Sequence, residues 1–209
     1  MTQIIDREAI PDSLKDGYAR AVSPFIRLLT RWDMHPNTFT VLGLIVSAVA
    51  SVFMASGSFR IAALLVLLAG FFDTVDGKLA RQSGKVTKFG AVLDSTLDRY
   101  SEALIFFGMA YFFVRQERFL TTLAVAVALG GSLMVSYVRA RAEGLGFDCK
   151  VGILQRPERL ILIAAGGILH PAALVVSVWI IAVLSNVTVF IRLLHVRNEE
   201  RKRAASTSP

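Results

Sequence analysis

Six runs of predominantly apolar residues, 38–57, 59–77, 90–114, 119–139, 157–171 and 172–192, occupy most of this 209-residue chain. A helix needs roughly 20 apolar residues to cross a hydrocarbon core about 30 Å thick. With 54% hydrophobic residues and a mean hydropathy of +0.57, the chain is too apolar for an ordinary soluble domain. The expected fold is all-α, a polytopic bundle of six transmembrane helices. It divides into a cytoplasmic segment 1–33, a membrane domain 34–195 and a polar, basic tail 196–209. The fifth run is short: Pro157 to Leu169 covers about 20 Å at helical rise, so its ends or the local bilayer must compensate.

Basic residues orient the spans. Lys78, Arg81, Lys85 and Lys88 follow the second run, Arg139, Arg141, Lys150, Arg156 and Arg159 flank the fourth and fifth, and Arg192, Arg197, Arg201, Lys202 and Arg203 follow the sixth. The opposite connections carry only Arg60, Arg115 and Arg118. The positive-inside rule therefore places both termini in the cytoplasm, in a multi-pass protein of the cell membrane. The net charge of +7 suits an anionic leaflet, and no nucleic-acid partner is expected. Before the first span, Leu14, Tyr18, Ala21, Phe25, Leu28, Leu29 and Trp32 recur near helical spacing among Lys15, Arg20, Arg27 and Arg31. That pattern predicts an amphipathic helix on the leaflet or against the bundle, kinked or restarted at Pro24. The single cysteine, Cys149, excludes an intramolecular disulfide.

The segment from Asp73 to Asp98 reads DTVDGKLARQSGKVTKFGAVLDSTLD. Acidic side chains are costly near a bilayer and persist there when paired, hydrated or bound to cations. Asp73 and Asp76 are three apart, and Asp94 and Asp98 four apart, so each pair lies on one helical face. Two helices can thus present four carboxylates to one another, a charge that two divalent cations neutralise. Oxygen-only ligands favour magnesium, with manganese an alternative, and magnesium commonly shares the phosphate oxygens of a substrate. Gly77 permits close approach of a ligand or helix, Arg81 can fork onto phosphate, and Gly90 admits close packing. Taken singly, any of these aspartates could be a satisfied buried polar residue and Arg81 an interfacial anchor. Gly130, Gly131, Gly166 and Gly167 are expected to serve helix packing or dimer contacts, and the scattered His35, His170 and His195 form no zinc pattern.

The spacing DxxDGxxAR, eight residues, then GxxxDxxxD, formed by Asp73, Asp76, Gly77, Ala80, Arg81, Gly90, Asp94 and Asp98, resembles the signature of the CDP-alcohol phosphotransferase family. His35-Pro36-Asn37-Thr38-Phe39-Thr40 looks like that family's entry to its first span. The resemblance implies transfer of a phosphatidyl-type group from a CDP-linked lipid to an alcohol, with release of CMP. It implies one metal held by Asp73, Asp76 and Asp94, a second by Asp73, Asp94 and Asp98, and Asp98 as base. It further implies contacts to the CDP-lipid from Asn37, Thr38, Phe39, Thr40, Gly77, Arg81 and Thr87, although a loop threonine such as Thr87 is also an ordinary cap residue. Homodimers are implied as well.

The stretches Ser136–Glu143, Arg156–Leu160 and Arg192–His195 are similar to those of the phosphatidylinositol phosphate synthase subfamily. There, positions matching Arg139, Arg156 and Arg192 cradle the phosphate of the acceptor. The first is commonly lysine in that subfamily, so Arg139 keeps the charge but changes the donor geometry. Positive-inside anchoring alone also places arginines at span ends. Two alternatives stay open: glycerol phosphate as acceptor, giving phosphatidylglycerophosphate, and a divalent-cation channel or transporter lined by carboxylates.

Overall fold

A computed structural model describes Ile26, Leu29, Thr30, Trp32 and residues 34–207. The described residues are all-helical apart from connections. The helices are α1 (Pro36–Ala55), α2 (Phe59–Gln82), α3 (Lys88–Arg115), α4 (Phe119–Gly144), α5 (Arg156–Leu169) and α6 (Pro171–Thr207). Each expected span matches one helix, but the ends move. Helix α2 runs past the site to Gln82, and α6 continues through the residues expected as a separate tail. By length and composition, α1, α4 and Pro171–Ala205 are the helices able to cross a membrane. The reason is physical: α2 and α3 carry the aspartates and arginines themselves, and α5 has only 14 residues.

Helix α1 packs on α2 and α3, α3 on α4, α4 on α6, and α5 lies between α2 and α6. One continuous core joins Met54, Phe59, Val66, Phe106, Phe113, Ile163, Leu174 and Ile181. The outer faces are as apolar as the inside, with Val52, Leu64, Phe107, Leu120, Val183 and Phe190 more than half exposed, as suits a lipid-facing surface. Close approach is set by small residues. A Cβ built on Gly108 would meet the carbonyl oxygen of Ser51 well inside van der Waals contact, and one on Gly167 would come within 3.1 Å of the Phe59 carbonyl oxygen. Gly131 and Gly166 are similarly tight, whereas Gly130 is exposed and has no described residue within 4 Å, so it takes no part in packing among the helices described. Ser51 Oγ donates to the Leu104 carbonyl at 2.5 Å, a bond between α1 and α3 beside Gly108.

Of the expected N-terminal helix, Ile26 and Leu29 are buried with Phe39, Val75 and Leu79, and Trp32 is exposed. This part therefore packs against the bundle. Leu14, Tyr18, Ala21, Pro24, Phe25, Leu28 and the four basic residues Lys15, Arg20, Arg27 and Arg31 lie outside the described residues.

The packing gives a paired test. Gly108→Ala forces a methyl into the α1 backbone and should destabilise by about 1–3 kcal/mol. Gly130→Ala, with open space and a helix-interior glycine removed, should be neutral or stabilising by up to about 1 kcal/mol. Thermal unfolding of the two purified variants in one detergent checks the difference, and equal shifts would refute the close α1–α3 contact.

Candidate active site

The site is built around the turn joining α2 to α3. Helix α2 ends at Ser83, whose N–H bonds to the Leu79 carbonyl, while the Lys85 N–H reaches back to the Ala80 carbonyl at 3.1 Å. Gly84 between them has φ +67°, a left-handed position that closes a helix end readily only with glycine or asparagine. Three residues after Gly84, Thr87 caps α3, its Oγ1 accepting from the Gly90 N–H at 2.9 Å. So short a connection keeps the acidic turns of α2 and α3 within reach of one another.

Oxygens of Asp73, Asp76 and Asp94 lie within 4.8 Å of one another. Asp76 is 5% exposed and accepts from Thr40 Oγ1 of α1 at 2.7 Å. Arg156, at the start of α5, joins the two helices: Nη1 meets Asp73 Oδ2 at 2.7 Å and Nη2 meets Asp98 Oδ1 at 2.8 Å. Arg99 lies 3.6 Å from the other Asp98 oxygen. Asp94 Oδ1 is buried and has no hydrogen-bond partner among the described residues.

An unpartnered buried carboxylate oxygen within a cluster of hard oxygen donors suits a divalent cation. Asp73, Asp76 and Asp94 therefore fit the metal role expected of them. Asp98 is turned to Arg156 and lies outside that trio.

Beside the carboxylates opens a cavity of about 180 Å³. Asn37, Thr40, Gly77, Arg81 and Thr87 line it, together with Asp76 and Asp94. The Arg81 guanidinium nitrogens stand 3.7 Å from where a Gly77 Cβ would be, so the glycine keeps the cavity floor low beneath the arginine. Asn37 closes the other side, its side-chain oxygen 3.4 Å from the corresponding point on Gly90. Two of the seven expected lipid-binding residues do not line this cavity: Thr38 is exposed on α1, and Phe39 is buried against Phe72 and the Val75–Leu79 cluster. Both follow from the helix that begins at Pro36, which turns neighbouring side chains about 100° apart.

The three expected acceptor arginines are treated differently. Arg156 is on the carboxylates. Arg139 pairs with Glu143 one turn along α4 at 2.8 Å. Arg192 is 2% exposed and donates from Nε to the Val151 carbonyl at 2.9 Å and from Nη1 to the Val135 carbonyl. Two residues have no place in the sequence-based site yet adjoin it. Glu102 and Arg159 form a fully buried pair, with Nε to Oε1 at 2.6 Å and Nη2 to Oε2 at 2.9 Å. The available signal was spacing, since Glu102 follows Asp98 by four residues and Arg159 follows Arg156 by three.

Known proteins resemble this chain in sequence and in fold. The chain is 37% identical over 192 residues to archaetidylinositol phosphate synthase of Methanothermobacter thermautotrophicus, covering 90% of this chain and 96% of that protein. It is 38% identical over 190 residues to phosphatidylinositol phosphate synthase of Mycobacterium marinum, covering 86% and 81%. Its fold matches the crystal structure of Mycobacterium tuberculosis phosphatidylinositol phosphate synthase with CDP-DAG bound, with a TM-score of 0.78, 34% identity and coverage of 85% and 94%. The same enzyme in complex with manganese and citrate matches with a TM-score of 0.76 at 34% identity, covering 83% and 87%. The family model for CDP-alcohol phosphatidyltransferases matches residues 33–194, which include every expected site residue, and the chain belongs to that family.

Proposed function

We propose that this protein is an integral membrane phosphatidylinositol phosphate synthase, or its ether-lipid counterpart. It transfers a phosphatidyl-type group from a CDP-linked lipid to inositol phosphate and releases CMP. The observation that carries the reading is the meeting of three carboxylates with a cavity lined by Asn37, Gly77 and Arg81, on a chain with the relatives described above.

Each group then has a task. Arg81 and the open floor at Gly77 receive the diphosphate, where a guanidinium can make paired contacts to phosphate oxygens. Asp73, Asp76 and Asp94 would hold one magnesium, and Asp73, Asp94 and Asp98 a second. Metal bound by these carboxylates would supply stabilisation of negative charge on the diphosphate and on departing CMP. Asp98 takes the proton of the acceptor hydroxyl. That oxygen attacks the phosphorus bearing the lipid, and the bond from this phosphorus to the CMP oxygen breaks. Arg156 adjoins Asp73 and Asp98 and is the arginine best placed to receive the acceptor's phosphate. Arg139 and Arg192 complete the same pocket in this reading.

The proposal includes six spans with both termini cytoplasmic, and a homodimer in the membrane, as in the family. Charge within α2 and α3 belongs to the site, so it does not weigh against their crossing the bilayer: intramembrane carboxylates persist where they face the bundle interior.

The metal assignment has two readouts. Asp73→Asn and Asp94→Asn should each abolish CMP release and weaken Mn²⁺ binding followed by electron paramagnetic resonance. Asp98→Asn should lower turnover by about a hundredfold or more, the range for loss of a general base. Wild-type Mn²⁺ binding by the Asp94→Asn protein would refute the cluster as a metal site, and ion flux into liposomes without CMP release would favour a transporter.

Orientation is tested by cysteine labelling. Lys88, Arg201, Arg60 and Arg118 are all exposed, whereas Cys149 is buried and desolvation pushes its thiol pKa up, which leaves the native thiol slow to react. Cysteines at 88 and 201 should label from the cytoplasmic side only, and those at 60 and 118 from the other. Labelling of 88 and 118 from one side would overturn the topology.

The acceptor is tested by offering inositol phosphate, glycerol phosphate, inositol and serine separately. Inositol phosphate should be used best. Arg156→Ala should raise the acceptor KM by roughly tenfold to a hundredfold, as expected for one charge-assisted hydrogen bond lost. Preference for glycerol phosphate would keep the phosphate pocket and reject inositol. Equal use of unphosphorylated alcohols would reject both.

A further inference from the structure

The buried Glu102–Arg159 pair sits directly behind the site. Helix α3 carries Asp98 and Glu102 four apart, and α5 carries Arg156 and Arg159 three apart, so each helix shows both residues on one face. The two helices meet as a ladder of two rungs. In the inner rung Arg159 and Glu102 are 0% and 1% exposed, joined through two nitrogens and two oxygens at 2.6 and 2.9 Å. The remaining guanidinium nitrogen, Nη1, donates to the Leu154 carbonyl at 3.4 Å, just ahead of α5. In the outer rung Arg156 spans Asp73 and Asp98, with side chains 19%, 33% and 15% exposed.

The rungs differ in what they can do. A planar fork on a carboxylate fixes direction as well as distance, and full burial leaves the inner rung no competing water. The outer rung lines a second, smaller cavity together with Thr40, Ser47 and Ser101, where cations and phosphate can replace its partners. A buried ion pair is weak support for stability, since apolar residues of similar volume often replace it without loss. Stability alone therefore does not account for a fork placed one turn from both Asp98 and Arg156.

We infer that Glu102 and Arg159 are positioning residues, which fix the rotation and depth of α5 on α3 so that the Arg156 guanidinium stands at the acceptor side of the carboxylates. The inference rests on the phosphotransfer reading given above. Acceptor use, more than use of the CDP-lipid, then depends on two residues that touch neither substrate.

The test uses CMP release by the full-length protein with CDP-diacylglycerol and inositol phosphate. Two variants are compared: Arg159→Lys, which keeps the charge and loses the fork, and the apolar pair Glu102→Leu with Arg159→Met. Each is also combined with Arg156→Ala, and thermal unfolding identifies which proteins are folded. A folded clamp variant should raise the acceptor KM about tenfold, since displacements near 1 Å have large kinetic effects, while the KM for CDP-diacylglycerol stays within about twofold. In the Arg156→Ala background the same clamp changes should add little, because they act through Arg156. An unchanged acceptor KM in a folded variant, equal rises in both KM values, or losses that add fully to Arg156→Ala would overturn the inference. A wild-type protein that releases no CMP with any phosphorylated alcohol would overturn the reaction assignment and this inference with it.

Discussion

Carboxylates gathered inside an apolar helix bundle repel one another and lose hydration, so the α2–α3 end of this protein requires compensating charge from elsewhere in the chain. Two unit charges 4 Å apart interact by about 4 kcal/mol at the effective dielectric of a partly buried site. The compensation comes from two directions: Thr40 on α1 donates to Asp76, and Arg156 on α5 joins Asp73 to Asp98. Asp94 keeps a buried oxygen with no described partner. The arrangement of α1 and α5 around α2 and α3 is therefore tied to the same charges that make the site, and a cation held by the cluster would complete what these residues begin.

Backbone geometry lets that convergence happen without a large pocket. The turn at Gly84 and the cap at Thr87 join α2 to α3 at the site, and the contact of Gly108 with Ser51 brings α1 onto α3 farther along the bundle. Thr40 can then reach Asp76. Thr87 caps α3 and also lies at the cavity wall. The same short turn that joins α2 to α3 therefore also shapes one wall of the cavity.

Much of this was legible from residue order, and what was not has a common cause. Periodicity located six helices and put Asp73 with Asp76, and Asp94 with Asp98, because spacing along a helix fixes which residues share a face. It does not state which neighbour that face meets. Glu102 and Arg159 are 57 residues apart and each looks ordinary alone, one an acid within a span and the other a basic residue at a span end. Thr38 and Phe39 show the same limit on a smaller scale: they sit within a motif, but α1 turns one outward and the other into the core. Gly130 beside Gly131 is a third instance, two glycines alike in sequence of which one is in tight contact. A charge's partner and a glycine's neighbour are properties of assembly.

The short fifth helix connects these points. At 14 residues α5 is about 21 Å long, and the 37 residues of α6 reach about 55 Å. Because the two meet at His170 and Pro171, α5 must begin alongside the interior of α6. Thr188 of α6 indeed accepts from the backbone N–H groups of Ile153 and Leu154 at 3.3 Å. Irregular backbone that is buried is tolerated only where other groups satisfy its N–H and carbonyl groups. Thr188 serves the N–H groups, Arg192 takes the Val151 carbonyl, and Arg159 takes that of Leu154. The connection that delivers Arg156 to the carboxylates is thus held by the neighbouring buried arginines. Removing Arg192 would disturb the site through this loop irrespective of any role in holding acceptor phosphate, whereas Arg139, whose ion pair among the described residues is with Glu143 on its own helix, separates the two effects.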